Sequence, residues 1–119
     1  MNTVSITDKN FIKTEIYKNF INENPGSGTL MIRAYTAGGA IPISNLDITI
    51  SKLIDDYNVI FFKGKTDDSG MVKNITLPAP LKVTNNLNIP LSTSYELSAT
   101  YKQNNIQNAL FVTILYQTK

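Results

Sequence analysis

The side chains that could do acid–base or metal chemistry are few, and some of the acidic ones are adjacent pairs. The chain contains no histidine and no cysteine, which rules out nucleophile–histidine pairs and thiolate metal sites. Nine residues are acidic, and Asp55–Asp56 and Asp67–Asp68 are neighbours in sequence. Neighbouring side chains in a turn or strand tend to point apart, which is poor geometry for an acid and a base acting together. We therefore expect no catalytic residue, no cofactor and no bound metal.

The aspartate pairs could instead form turns or supply oxygen ligands to Ca²⁺. Two neighbouring loops with hard oxygen ligands suit Ca²⁺, but the spacing fits no EF-hand loop. The segment 67–70, Asp-Asp-Ser-Gly, has the composition of a tight turn, in which Asp bonds its own backbone and Gly supplies positive φ. We favour the turn, with Ca²⁺ binding as the alternative.

Tyrosines on the predicted strands are the residues best suited to stacking on a sugar ring. The candidates for such a glycan platform are Tyr35, Tyr95 and Tyr101. Tryptophan, the usual stacking residue, does not occur in the chain, and tyrosine also favours strands for ordinary packing reasons. Packing is the favoured role of these rings, and a carbohydrate platform is the alternative.

The elements that position these residues are predicted to be strands of one β-rich body. Apolar and polar residues alternate in three segments, which are 30–35, 46–51 and 95–101. The segment 59–62 is apolar throughout and is expected to be buried on both faces, and 109–116 is predicted as the last strand. Three prolines between residues 77 and 90 predict a long excursion rather than a central strand.

A helical arm, residues 1–24, is predicted to precede the body, residues 25–119. The Pro- and Gly-containing run 24–28 separates them, and apolar residues recur at helical spacing from about residue 8 to 22. A helix of this length is marginal in water when isolated, so the arm must dock. Docking on its own body is favoured over docking on a partner and over disorder. The candidates for partner contact are Phe11, Ile12, Ile16 and Phe20.

Three segments of the body resemble a known family. They are 28–50, then 65–80 with its Thr-Asp-Asp-Ser-Gly and Leu-Pro-Ala-Pro motifs, and 94–101, which contains Tyr-Glu-Leu. Together they resemble the prealbumin-like, or carboxypeptidase-regulatory-like, β-sandwich. The closest likeness is to the β-domain that accompanies peptidoglycan-acting and spore-cortex-lytic proteins of low-GC Gram-positive bacteria. The resemblance implies an all-β fold, an antiparallel Greek-key sandwich of about seven strands like that of transthyretin, behind the helical arm.

Charge and hydropathy argue against nucleic acid as a partner and against a membrane span or signal peptide. The net charge is +2, the lysines are scattered and Arg33 is the only arginine, which gives little neutralisation of phosphates and argues against nucleic acid. No stretch approaches the ~18 apolar residues of a membrane span, and residues 1–9 lack the apolar run of a signal peptide. We expect cytoplasmic synthesis, with incorporation into a spore, cell-wall or phage-like assembly as an option.

The function predicted from these observations is that of a non-catalytic structural or assembly module. Its arm and one strand edge would contact a protein partner or a second copy, because edge strands invite pairing. The first alternative is a peptidoglycan- or glycan-binding accessory module of a cell-wall or spore protein, as the resemblance implies. The second is a small phage-tail or particle component.

Overall fold

Seven strands and one α-helix make up the parts of the chain that the structure, a computed structural model, describes. Those parts are residues 2–36, 41–81, 93–100 and the backbone of 111–118. In chain order the elements are β1 (Asn2–Ser5), a 3₁₀ helix (Phe11–Lys13), α1 (Glu15–Glu23), β2 (Gly26–Tyr35), β3 (Asp47–Ile54), β4 (Tyr57–Lys65), β5 (Met71–Ala79), β6 (Glu96–Thr100) and β7 (Phe111–Thr118). Neither helix in these ranges has the length and apolar character needed to cross a membrane.

The strands form two sheets that share one apolar core. Sheet A has the order β1-β4-β3-β6, and sheet B has the order β5-β2-β7. The ladders are antiparallel except for β1 with β4, which is parallel. Both sheets contribute buried side chains to a single cluster. The prediction of a β-rich body is confirmed at this level of strands and sheets.

Alternating side chains place one face of each sheet in the core. In β2, Leu30, Ile32 and Ala34 are buried and the intervening Arg33 is exposed. In β3, the buried residues with the same spacing are Ile48 and Ile50. A strand whose side chains alternate in this way buries one row and leaves the other toward solvent, as the sequence predicted for 30–35 and 46–51.

The segment 59–62 in β4 is not buried on both faces, which corrects the sequence-based expectation. Val59 and Phe61 are buried, whereas Ile60 and Phe62 are half-buried. Buried and half-buried residues alternate here as in any strand that has one face on the core. The segment also contains a β-bulge: Ile50 in β3 pairs with Phe62 and the next residue pairs with Ile60, which leaves Phe61 as the extra residue of β4. The apolar run therefore marks a strand that buries one face rather than one enclosed by two layers.

The arm contains a strand, a 3₁₀ helix and an α-helix instead of the single helix predicted for 8–22. Thr14 interrupts it with an extended backbone, φ −74° and ψ 155°. The Thr14 hydroxyl donates to the carbonyl of Phe11 (2.7 Å) and accepts from the amide of Tyr17 (3.3 Å), so it ends one helix and caps the next. Apolar spacing does not reveal this competition between a side chain and the backbone.

β1 is a strand that the sequence did not predict. It pairs in parallel with β4 from Asn2 opposite Tyr57 to Ser5 opposite Ile60. The amide of Ile6 extends the ladder with a 3.0 Å hydrogen bond to the carbonyl of Ile60. Four residues give too short a period-2 pattern to identify a strand, and the partner strand lies more than fifty positions away in sequence. The residues of β1 alone therefore do not predict it.

β5 continues through Pro78, although that proline was expected to end the strand. Pro78 lies opposite Ser27 in the ladder with β2, and the strand ends at Ala79. The proline is tolerated because β5 is an edge strand of sheet B, where one side of the backbone makes no ladder hydrogen bond. The rest of the predicted excursion, residues 82–92, lies outside the described residues.

Candidate functional site

The Asp67–Asp68 pair lies in the predicted turn, between β4 and β5. One carboxylate oxygen of Asp67 accepts hydrogen bonds from the amides of Ser69 and Met71, each 2.9 Å long. Gly70 has φ 74°, and its carbonyl accepts a 2.8 Å hydrogen bond from the amide of Ala34 in β2. The turn prediction is thus confirmed, and the Asp67 carboxylate organises backbone amides.

The second pair, Asp55–Asp56, forms the short turn of the β3–β4 hairpin. Asp55 has φ 52°, a left-handed conformation that Asp tolerates better than most residues, and both side chains are exposed. Within the described ranges, no three His, Cys, Asp or Glu side chains lie close enough together to hold a metal ion. The residue pairs that sequence analysis singled out for chemistry therefore act as turn residues here.

The four arm residues proposed for partner contact lie in different environments. Phe11 and Phe20 are buried, at 4% and 7% exposure, and belong to the main core cluster. The ring of Phe11 lies 5.3 Å from that of Tyr57, and the ring of Phe20 lies 5.6 Å from that of Phe61. Ile16 is half-buried and Ile12 is 37% exposed. The two phenylalanines therefore contact the chain's own body, and contact between the arm and a partner stays a prediction.

Tyr17 belongs to the same aromatic cluster of arm and body. Its ring lies 5.6 Å from Phe11 in an edge-on arrangement and 6.5 Å from Phe20. Burial raises the pKa of the Tyr17 hydroxyl above its ordinary value of 10.0, because the phenolate would lose hydration. The neutral hydroxyl of Tyr17 is therefore the form that the folded chain favours.

Asn24 fixes the point where the arm joins the body. Its side chain is buried, and its amide nitrogen donates to the carbonyl of Phe20 at 2.9 Å. The side-chain oxygen of Asn24 accepts a hydrogen bond from the hydroxyl of Thr93, just before β6. The end of α1 is thus hydrogen-bonded to the segment that leads into β6.

The structure describes two of the three tyrosines proposed as a glycan platform, and these two belong to different sheets. Tyr95 precedes β6 of sheet A, its ring lies edge-on to Phe61 at 5.2 Å, and its hydroxyl donates to the carbonyl of Pro78 in sheet B. Tyr35 is the last residue of β2, in sheet B. Tyr101 lies outside the described residues. The Tyr95 ring joins the two sheets, and a sugar-stacking role for the three tyrosines stays a prediction.

A shallow polar groove of about 420 Å³ lies on the face of sheet A that points away from the core. Asp47 and Lys65 are partners in the β3–β4 ladder and form an ion pair of 3.6 Å. Thr49 and Thr100 add hydroxyl groups from β3 and β6. Such a groove offers hydrogen-bonding groups to a polar ligand, and none of the described residues that line it is aromatic.

The described strands form four sheet edges, and three of these edge strands carry features that oppose pairing with another chain. β1 has four residues, and β6 has five and includes the exposed Glu96. β5 contains Pro78 and a bulge at Asn74, whose φ is 61°. Short strands, charges, prolines and bulges are the devices that protect sheet edges in natural proteins.

β7 is the edge strand without these features. It pairs antiparallel with β2 in unbroken register over eight residues, from Tyr35 opposite Phe111 to Gly28 opposite Thr118. Its other side pairs with no strand in the described parts of the chain. The sequence from 103 to 118 contains no charged residue and no proline. Sequence analysis predicted this strand but could not identify it as an edge.

Two of the motifs behind the resemblance to prealbumin-like domains, both within 65–80, lie at the β4–β5 turn and at the end of β5. Such motifs meet local backbone requirements, so they recur without common ancestry. Comparisons of the chain with protein-family models, curated proteins and solved structures found no match in any of the three, and the resemblance stays a prediction.

Proposed function

We propose that this chain is a non-catalytic assembly module, whose two-sheet body contacts protein partners through an open strand edge. The observation that carries the proposal is β7, an eight-residue edge strand with neither charge nor proline. Backbone N–H and C=O groups on such an edge form hydrogen bonds with an added strand. A small phage-tail or other particle component would be one setting for this function.

Docking of the arm supports the proposal because it gives the body a rigid frame. Parallel pairing of β1 with β4 and burial of Phe11 and Phe20 hold the arm on sheet A, and the hydrogen bond from Thr93 to Asn24 ties the arm to the segment before β6. In the described parts of the chain the arm is a structural element of the body, and Ile12 is its most exposed large apolar residue. Partner contact through the strand edge is therefore favoured over contact through the arm.

The proposal includes a prealbumin-like Greek-key sandwich for the body. Four antiparallel ladders among β2–β7 and the single shared core support that arrangement. β1 adds a parallel strand outside the expected antiparallel pattern. A sandwich whose described core consists mainly of apolar side chains suits a scaffold for protein contacts.

A glycan-binding module is the second candidate, favoured by the polar groove on sheet A. The hydroxyls of Thr49 and Thr100 and the Asp47–Lys65 ion pair resemble the hydrogen-bonding groups that recognise sugar hydroxyls. Among the described residues, the lining of this groove contains no aromatic ring, which makes glycan binding the weaker candidate.

Sedimentation velocity and co-sedimentation with purified peptidoglycan separate the two candidates. The assembly proposal expects the mass of the intact chain to rise above 13.2 kDa with concentration, and expects no retention on peptidoglycan. A chain that stays at 13.2 kDa and is retained on peptidoglycan overturns it. Loss of that retention in Thr100→Val, which removes a groove hydroxyl at nearly constant volume, would assign binding to the groove.

A further inference from the structure

We infer that the polar groove on sheet A takes an acidic sugar residue, whose carboxylate pairs with Lys63 and whose hydroxyl groups face the Asp47–Lys65 ion pair. The inference rests on glycan binding, the second candidate function, and deepens it by naming the class of sugar. It does not depend on the role of β7. The ligand class is a linear glycan in which uronic acids alternate with neutral sugars.

Two rows of side chains form the walls of the groove. In the first row, Asp47 of β3 lies between Lys65 of β4 and Thr100 of β6, because it is paired with both. In the second row, Thr49 of β3 is paired with Lys63 of β4. Residues opposite each other in an antiparallel ladder share a face, and two residues along a strand span about 7 Å. The space between the rows therefore runs across the strands of sheet A.

The floor of the groove lies between these rows. Ile48 and Gly64 line it and are partners in the β3–β4 ladder, and the side chain of Ile48 is buried in the core, so the floor beside it is backbone. At the β4 end the groove stays open, because β1 pairs with β4 only at 57–60 and no other described strand flanks β4 there. A groove with an open end can hold one residue of a longer chain, so the ligand can be a polymer.

The two rows differ in charge. In the first row, the ammonium group of Lys65 is neutralised by the Asp47 carboxylate at 3.6 Å. In the second row, Lys63 is exposed and forms no ion pair with any residue that the structure describes. A ligand carboxylate can accept hydrogen bonds from the ammonium group of Lys63 and from the hydroxyl of Thr49. Sugar hydroxyls, which both donate and accept, suit the first row, and a carboxylate suits the second.

The composition of the lining favours an acidic sugar over a neutral one and over nucleic acid. None of the described lining residues is aromatic, so ring stacking adds nothing there and charge-assisted hydrogen bonds have to supply the affinity. Asp47, in the middle of the first row, repels a ligand that carries a negative charge on every unit. Single-stranded nucleic acid binds through stacked bases and closely spaced phosphates, and both features disfavour it.

A hyaluronan oligosaccharide, in which glucuronate alternates with N-acetylglucosamine, tests the class of ligand. Isothermal titration calorimetry of the intact chain at low ionic strength should show binding. The same oligosaccharide with its carboxyl groups reduced to alcohols, and polyglutamate, should each bind at least about tenfold more weakly, because one lacks the carboxylate and the other lacks the hydroxyls.

The results that overturn the class of ligand differ in what they indicate. No binding of hyaluronan removes the inference outright. Equal binding of the reduced oligosaccharide removes the pairing of a carboxylate with Lys63. Equal binding of polyglutamate, or of an oligothymidylate, means that the groove attracts any polyanion and removes the sugar.

Lys63→Gln tests the location, and Lys73→Gln is its matched control. Lys73 is an exposed lysine in β5 of sheet B, so the two substitutions change the net charge equally at exposed positions on different sheets. The dissociation constant for hyaluronan should rise by about tenfold in Lys63→Gln and by less than about twofold in Lys73→Gln. Equal effects of the two substitutions, in variants with the melting temperature of the wild type, overturn the assignment to the groove.

These outcomes are separate from those of the proposed functions. A chain that associates with itself but does not bind hyaluronan keeps the assembly function and loses this inference. A chain that is retained on peptidoglycan but does not bind hyaluronan keeps glycan binding and loses the acidic sugar. Hyaluronan binding that is weakened in Lys63→Gln supports the inference, whether the chain stays at 13.2 kDa or associates.

Discussion

Gly70 shows how strictly a single position can depend on its residue type. A Cβ atom at this position would lie 2.4 Å from the carbonyl oxygen of Ala34, and the backbone has φ 74°. Side chains are rarely accommodated at such a φ, and here the neighbouring atom is backbone, which cannot move away on its own. The Asp-Asp-Ser-Gly motif therefore ends in glycine for a steric reason that applies whatever the protein does.

We expect Gly70→Ala to lower the free energy of unfolding by about 2–4 kcal/mol, from the left-handed conformation and the steric overlap together. Urea denaturation followed by circular dichroism would measure it. Ser69→Ala is the control, because Ser69 is exposed and its backbone amide makes the hydrogen bond to Asp67, so we expect a change within about 0.5 kcal/mol. Equal stability of the two variants would contradict the described geometry of the turn.

At the scale of elements, the sequence predicted those strands and turns that depend on the order of neighbouring residues. Alternation identified β2 and β3, and the motif at 67–70 identified the turn before β5. The missed features depend on distant partners: β1 exists through pairing with β4, and Phe61 bulges because of its register with β3. The break at Thr14 depends on a hydroxyl that bonds both adjoining helices, which apolar spacing cannot show.

The candidate site was predictable only in part for the same reason. The segment 109–116 was visible as a strand, and the lack of charge from 103 to 118 can be read from the sequence. Its place at the edge of sheet B depends on which strands pair, and pairing is not encoded by any single segment. Burial of Phe11 and Phe20 likewise depends on where the arm docks.

Because the arm docks through α1, truncation of two arm residues, Phe20 in α1 and Ile12 in the 3₁₀ helix, should affect stability to different extents. Phe20→Ala should lower the free energy of unfolding by about 3 kcal/mol or more, because it removes a ring that is 7% exposed and packs on Phe61. Ile12→Ala should change it by about 1 kcal/mol or less, because Ile12 is 37% exposed. Chemical denaturation of both variants would measure the difference. Equal effects would mean that α1 is not packed on sheet A.

At the scale of the whole molecule, arm and body share one core, so stability should respond to ionisation at their contact. The pKa of Tyr17 is raised by burial in the folded chain, while in the unfolded chain it lies near 10.0. The unfolded chain therefore loses the Tyr17 proton first as pH rises. The contribution of the neutral hydroxyl is fully present below about pH 10 and is lost as pH rises through the folded pKa.

Tyr17→Phe should remove this contribution to the pH dependence. We expect the wild type to lose more stability than Tyr17→Phe between about pH 9 and the onset of alkaline unfolding, measured as the difference in melting temperature between the two at each pH. Below about pH 9 that difference should be constant, because Tyr17 is neutral in both states there. A difference that stays constant through alkaline pH would contradict the burial of Tyr17.

The pairing of β2 with β7 has a consequence for how the chain is made. Gly28 meets Thr118 in this ladder, so a segment near the start of the sequence waits for one synthesised about ninety residues later. On the ribosome the β3–β4 hairpin can form early. The backbone groups along one side of β2, however, stay unpaired until Phe111–Thr118 leave the exit tunnel. A nascent chain stalled before Phe111 would therefore be a target for chaperones that bind exposed strands, and pairing of β2 with Phe111–Thr118 would end that exposure.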